Sequence, residues 1–194
     1  MNTCRLSIVV FLCALCVVAG CAKDPFSTRQ PEDPVGAKGT YITPIDPLIG
    51  LENLRYAMIE QNIGHYRQTY SESLVFTFDF LLVDRPDSAS GWDSIEEDRI
   101  VGNLLADADS IALVWDLTEG RSDRFDDSTA YLYRTYDITV DRDSAGVVVS
   151  RAYQGEFIIR MARNALDLWS IVAWEDLHLS ATQPSWADLK SSYR

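Results

Sequence analysis

Four strand-like runs joined by turns occupy residues 110–118, 129–141, 147–162 and 166–177, and this succession constrains the fold more than any other feature of the chain. Glu119-Gly120, Asp143-Ser144-Ala145-Gly146 and Arg163-Asn164 are the turn signals between them. Connections this short leave no room for a crossover helix, so the runs predict an antiparallel meander, and strands of this length predict a curved one. An earlier run, 74–83, alternates in the same way, with Phe76, Phe78 and Phe80 on one face and Thr77 and Asp79 on the other. By the same alternation Trp169 and Ile171 share one face of the last strand and Trp174 falls opposite.

Helices account for the intervening segments. Leu51, Leu54 and Met58 recur at helical spacing in a stretch whose other faces carry Glu52, Arg55, Glu60 and Gln61, and Asn62 and Gly64 interrupt it. A second short helix is expected over 65–70. A third follows Asp93 as N-cap, with Glu96 and Glu97 in its first turn and Ile100, Leu104 and Leu105 along its stripe. A tail helix over 185–191, opened by Ser185, would press Trp186 and Leu189 onto the domain. With 47% hydrophobic and 24% charged residues the composition is that of a globular protein with one core. The expected class is α+β.

This order, with the patterns Tyr66…Asp79-Phe80, Tyr153-Gln154-Gly155 and Trp169-Ser170-Ile171-Val172-Ala173-Trp174-Glu175-Asp176, resembles the nuclear transport factor 2-like superfamily, which includes the SnoaL-like and ketosteroid isomerase-like proteins. The resemblance covers about 48–189. It implies a cone, a curved antiparallel sheet wrapped around N-terminal helices, whose mouth can hold a small apolar ligand. Members that keep the cone filled use the sheet face to dimerise, so a homodimer through that face is the corresponding expectation. Isomerase-type relatives place a carboxylate on a strand, with a tyrosine or a second acid as oxyanion donor, which makes Asp79, His65, Tyr66 and Tyr70 the catalytic candidates. The plainer reading of Asp79 is a solvent-facing strand residue or a loop anchor, and that of His65 is a helix-surface or backbone-satisfied histidine. Trp115 and Trp169 are candidates for a ligand wall, although strand aromatics more often serve packing.

The N-terminal stretch gives an address. Arg5 is the only charge ahead of an apolar segment running to Val18, and Val18-Ala19-Gly20-Cys21 resembles the bacterial lipobox. The segment is shorter than the ~20 residues that span a bilayer core, so 1–20 is expected to be a lipoprotein signal peptide cut before Cys21. The resemblance implies acyl chains on Cys21 as the membrane anchor, and Ala22 after it implies the outer membrane, facing the periplasm or the cell surface, in a diderm host. Cys4, Cys13 and Cys16 lie in the part to be removed, which leaves no pair for a disulfide. Five of the seven prolines fall in 21–47, which reads as a tether to the domain at 48–194.

A net charge of −12, which loses the positive charge of Arg5 on cleavage, argues against a nucleic-acid role. Two histidines and no thiol beyond Cys21 in the mature chain argue against a metal centre, and Asp141-Arg142-Asp143-Ser144-Ala145-Gly146 reads as a hairpin, because Ala145 and Ala152 stand where a calcium loop needs oxygen ligands. No phosphate loop or nucleophile motif is present, and no cofactor is implied. The preferred reading is an envelope lipoprotein with a non-catalytic domain that binds a small apolar ligand or an envelope protein. The alternative is an isomerase- or cyclase-like enzyme using Asp79.

Overall fold

The computed structural model describes residues 41–78 and 91–194. Helix α1, Pro47–Ile59, begins at Asp46, whose carboxylate accepts the Leu48 N–H at 2.8 Å, and Pro47 suits the first helical position, where no N–H is needed. Its buried stripe is Leu51, Leu54, Ala57 and Met58. Asn53, on the same buried side, accepts from the Ile42 N–H at 3.0 Å and donates to the Ile42 carbonyl at 2.6 Å, which clamps the entering chain to the helix. Gln61 in the left-handed region (φ 54°) breaks the helix, and Asn62 caps α2, Ile63–Arg67, which stops short of the predicted Tyr70. Tyr70 instead starts β1, Tyr70–Phe78.

A two-residue strand β2, Trp92–Asp93, precedes α3, Ser94–Asp107, and the predicted N-cap is in place: the Asp93 carboxylate accepts from Ile95 and Glu96. The meander follows as β3 (Ser110–Leu117), a two-residue β4 (Arg124–Phe125), β5 (Thr129–Ser144), β6 (Val147–Arg163) and β7 (Trp169–His178), and the chain closes with α4, Trp186–Ser191. The β5–β6 connection is a two-residue turn in which Ala145 and Gly146 both take positive φ, with the Gly146 N–H donating to the Asp143 carboxylate at 2.6 Å. Asp141–Gly146 is thus a tight hairpin. Among the described residues no helix is long and apolar enough to cross a membrane.

These strands form one curved seven-stranded sheet in the order β2-β1-β7-β6-β5-β3, with β4 on the far part of β5. The expected α+β class and curved sheet are present, with two corrections. The meander is antiparallel, but β1 pairs with β7 in parallel, which closes the sheet between segments a hundred residues apart. The second correction concerns Trp174, which alternation put opposite Trp169 and Ile171. All three are buried, because a register shift opposite Arg160 and Met161 makes Val172 an extra residue and returns Trp174 to the inner face.

Leu74 and Phe76 from β1, Ile111 and Leu113 from β3, Leu132 and Ile138 from β5, and Phe157 and Ile159 from β6 line that inner face, and α1 and α3 cover it. β6 outruns β7. It pairs with β7 only from Gly155 onward, so among the described residues 147–153 are laddered to β5 alone.

Candidate functional site

The cone interior is where the fold brings polar chemistry into the core, and α4 delivers the last part of it. Glu97 belongs to α3, where Ile100, Val101, Leu104 and Leu105 complete the same stripe, so helical geometry carries its carboxylate into the core at 0% exposure. Three donors converge on it. The Lys190 ammonium lies 2.6 Å from Oε1, the Tyr66 hydroxyl donates to the same oxygen, and Trp92 Nε1 donates to Oε2 at 2.5 Å. Lys190 is itself 0% exposed, and its Nζ stands 4.0 Å from the ring centroids of both Phe76 and Trp174 and 5.3 Å from that of Trp186. Burial pushes the Lys190 ammonium down from its ordinary value, opposed by the charges of Glu97 and Asp176.

A second buried carboxylate lies next to the first cluster. Asp176 of β7 accepts from the Tyr136 hydroxyl at 2.6 Å and from the Ala187 N–H at 2.8 Å, while Tyr136 Oη accepts from the Trp186 N–H at 2.7 Å. Two orphan N–H groups at the start of α4 are thereby satisfied from the sheet. Burial pushes the Asp176 carboxyl up to about 6, against the pull of these donors and of Lys190. Tyr136 can reach this position because its cross-strand neighbour is Gly155: a Cβ there would overlap the Tyr136 hydroxyl and lie 2.8 Å from the Leu177 carbonyl.

The candidates read from the sequence are distributed as follows. Tyr66 is buried against Glu97, and Tyr70 packs edge-on against it at 5.6 Å between centroids. Burial is the first cause that pushes both phenols above their ordinary value, and the Glu97 charge adds to it. His65 sits at the half-exposed side of α2, 3.1 Å from Asn62 Nδ2 and 3.6 Å from Glu60, with the Tyr41 ring beside it. Asp79 lies outside the described residues, as does Cys21. Trp115 packs edge-on against Phe157 and directs Nε1 toward Glu52 at 3.4 Å. Trp169 is buried at the opposite end of the sheet under the Arg163 guanidinium.

The structure therefore brings Tyr66 and Tyr70 together and adds Glu97, Trp92, Lys190 and Asp176, none of which the sequence reading singled out as site residues. A signal was available for Glu97, a charge within an apolar stripe, which must find a partner or neutralise. The arrangement leaves little open volume: the side chains of Trp186, Leu189 and Lys190 fill the space between α3 and the sheet. The described grooves lie elsewhere. One of about 330 Å³ runs along the β5–β6 arm between Arg142, Val149 and Arg151, and one of about 320 Å³ lies by Arg121 and Tyr133.

No protein-family model and no curated protein sequence matches the chain. Solved structures do. A protein from Kribbella flavida aligns with a TM-score of 0.55 at 10% identity, over 74% of this chain and 93% of that one. A nuclear transport factor 2-like family protein from Streptomyces avermitilis, proposed to be a dehydratase, aligns at 0.53 and 10% identity over 69% and 94%. A nuclear transport factor 2-like superfamily protein from Salmonella enterica aligns at 0.51 and 16% identity over 70% and 87%. At these identities the likeness is one of fold, and the fold is nuclear transport factor 2-like.

Proposed function

We propose that this chain is a lipid-anchored envelope protein whose nuclear transport factor 2-like domain is non-catalytic and acts by offering its surface to a partner. One observation carries the reading: the cone is filled from within by the chain's own tail, and both interior carboxylates are committed, Glu97 to Lys190, Tyr66 and Trp92, and Asp176 to Tyr136 and the start of α4. A general base must face a substrate, and both carboxylates are fully buried behind these partners.

The outer sheet face is the surface that remains. Val75, Ala173, Arg160 and Tyr131 form one continuous row across four strands, and Thr77, Glu175, Ile158 and Tyr133 form the next. Val75 and Tyr131 are exposed there, together with Val114. Apolar, aromatic and charged groups are mixed across this face, a composition compatible with an interface between separately folded proteins. An envelope protein or a second copy of the chain is the proposed occupant, with Cys21 acylation at the outer membrane as the proposed anchor.

Three measurements test the reading. Cys21→Ala protein should lose metabolic acyl labelling and membrane retention, and continued labelling of that variant overturns the anchor. Val75→Glu/Val114→Glu protein should keep the wild-type melting temperature within a few degrees and lose self-association in sedimentation or cross-linking to envelope proteins. Turnover of a ketosteroid-like substrate that disappears in Asp79→Asn would overturn the non-catalytic assignment.

A further inference from the structure

We infer that the pocket around Glu97 is a recognition site for a primary alkylammonium ion, occupied in cis by Lys190. The inference stands apart from any external partner of the domain.

The receptor and its ligand come from different parts of the chain. Tyr66 of α2, Trp92 of β2 and Glu97 of α3 form the acceptor, and Phe76 of β1 and Trp174 of β7 form the walls; α4 contributes the lysine and one further ring, Trp186. The two donors to Glu97 that belong to the receptor, the Tyr66 hydroxyl and Trp92 Nε1–H, hold its carboxylate in one orientation with or without the lysine, so the acceptor is preorganised. What it then offers suits an ammonium. One charged oxygen lies at 2.6 Å, and two aromatic rings with centroids 4.0 Å from the nitrogen stabilise the charge. A guanidinium is broader and planar, and it presents more N–H groups than this box has acceptors. A quaternary ammonium has no N–H for Glu97. The site therefore selects a primary ammonium on a slender stem, and the tail supplies one.

Truncating Lys190 at Cβ removes three methylenes and the ammonium, so n-propylammonium is the matching probe. In full-length Lys190→Ala protein, n-propylammonium chloride should raise the melting temperature saturably by several degrees, as mass action requires of a ligand bound only by the folded state. Equal concentrations of 1-propanol, n-propylguanidinium and tetramethylammonium chloride should not. Wild-type protein, whose site is filled, should not respond, and Glu97→Gln in the Lys190→Ala background should abolish the response. Where Lys190→Ala does not fold alone, the readout is the folded yield on dilution from denaturant with and without the amine. Recovery specific to n-propylammonium supports the site. Equal effects of amine and alcohol, a response that survives Glu97→Gln, or no recovery with the amine overturns it.

Discussion

Glu97 and Lys190 are each buried completely, and each is tolerable only because of the other. Removing one leaves an uncompensated charge in the core, and such losses typically cost about 3–5 kcal/mol. Lys190→Met should therefore lower the unfolding free energy by roughly that amount in urea titrations, whereas Lys190→Met/Glu97→Gln should recover much of it; equal losses in the single and double variants would refute the coupling. Asp176 makes a pH-dependent prediction. Its carboxyl rises from an ordinary 3.8 to about 6 on folding, so the folded state holds the proton more tightly, and the stability this group contributes is present below pH 4 and lost as the pH rises through 6. At 1.36 kcal/mol per unit the change amounts to roughly 3 kcal/mol. Asp176→Asn cannot titrate, so the stability difference between wild type and variant should shrink by a few kcal/mol between pH 4 and 7, and a pH-independent difference would disprove the shift. Gly155→Ala places a methyl where the Tyr136 phenol lies and should cost about 1–3 kcal/mol, measured by thermal unfolding. These roles were hard to read in the sequence for different reasons. Glu97 resembles any acid in a first helical turn, Lys190 any cation in a last one, and Gly155 any glycine in a strand.

At the level of elements, the helices and long strands were legible because their apolar residues keep a period of 3.6 or 2, and the caps Asp93 and Ser185 stand where polar residues precede those stripes. What escaped was whatever breaks a period or is too short to have one. β2 and β4 have two residues each, and the parallel pairing of β1 with β7 joins distant segments through backbone hydrogen bonds that leave no mark on side-chain order. The extra residue in β7 misled alternation at Trp174. It also supplies a test: deleting Val172 removes the extra residue and leaves Trp169, Ile171, Trp174 and Asp176 on one face by strict alternation, so the variant should keep its near-ultraviolet aromatic dichroism and cooperative unfolding. Loss of both would mean that Val172 is not the extra residue of β7.

Across the domain, the long β5–β6 arm leaves an edge of β6 unpaired among the described residues. Ser144 and Val147 flank its two-residue turn, so the even-numbered residues of β6 direct their N–H groups away from β5, as Gln154 does in donating to the Pro184 carbonyl at 2.9 Å. Ser150→Pro should therefore leave the ladder to β5 intact and change stability by no more than about 1 kcal/mol, whereas a loss of about 3 kcal/mol would show that this N–H is bonded. The position of the arm matters as much as its edge. The entering chain is fastened where the Pro44 carbonyl meets the Trp169 N–H, beside Arg163, and the turn at Ala145-Gly146 is at the other end of the same strand. Seventeen residues at ~3.3 Å each separate the two ends by roughly 50 Å. Val147, Val148 and Val149, all exposed, thus stand at the turn end of β6, so whatever reaches that tip meets an apolar surface about one long strand away from where the chain enters the domain.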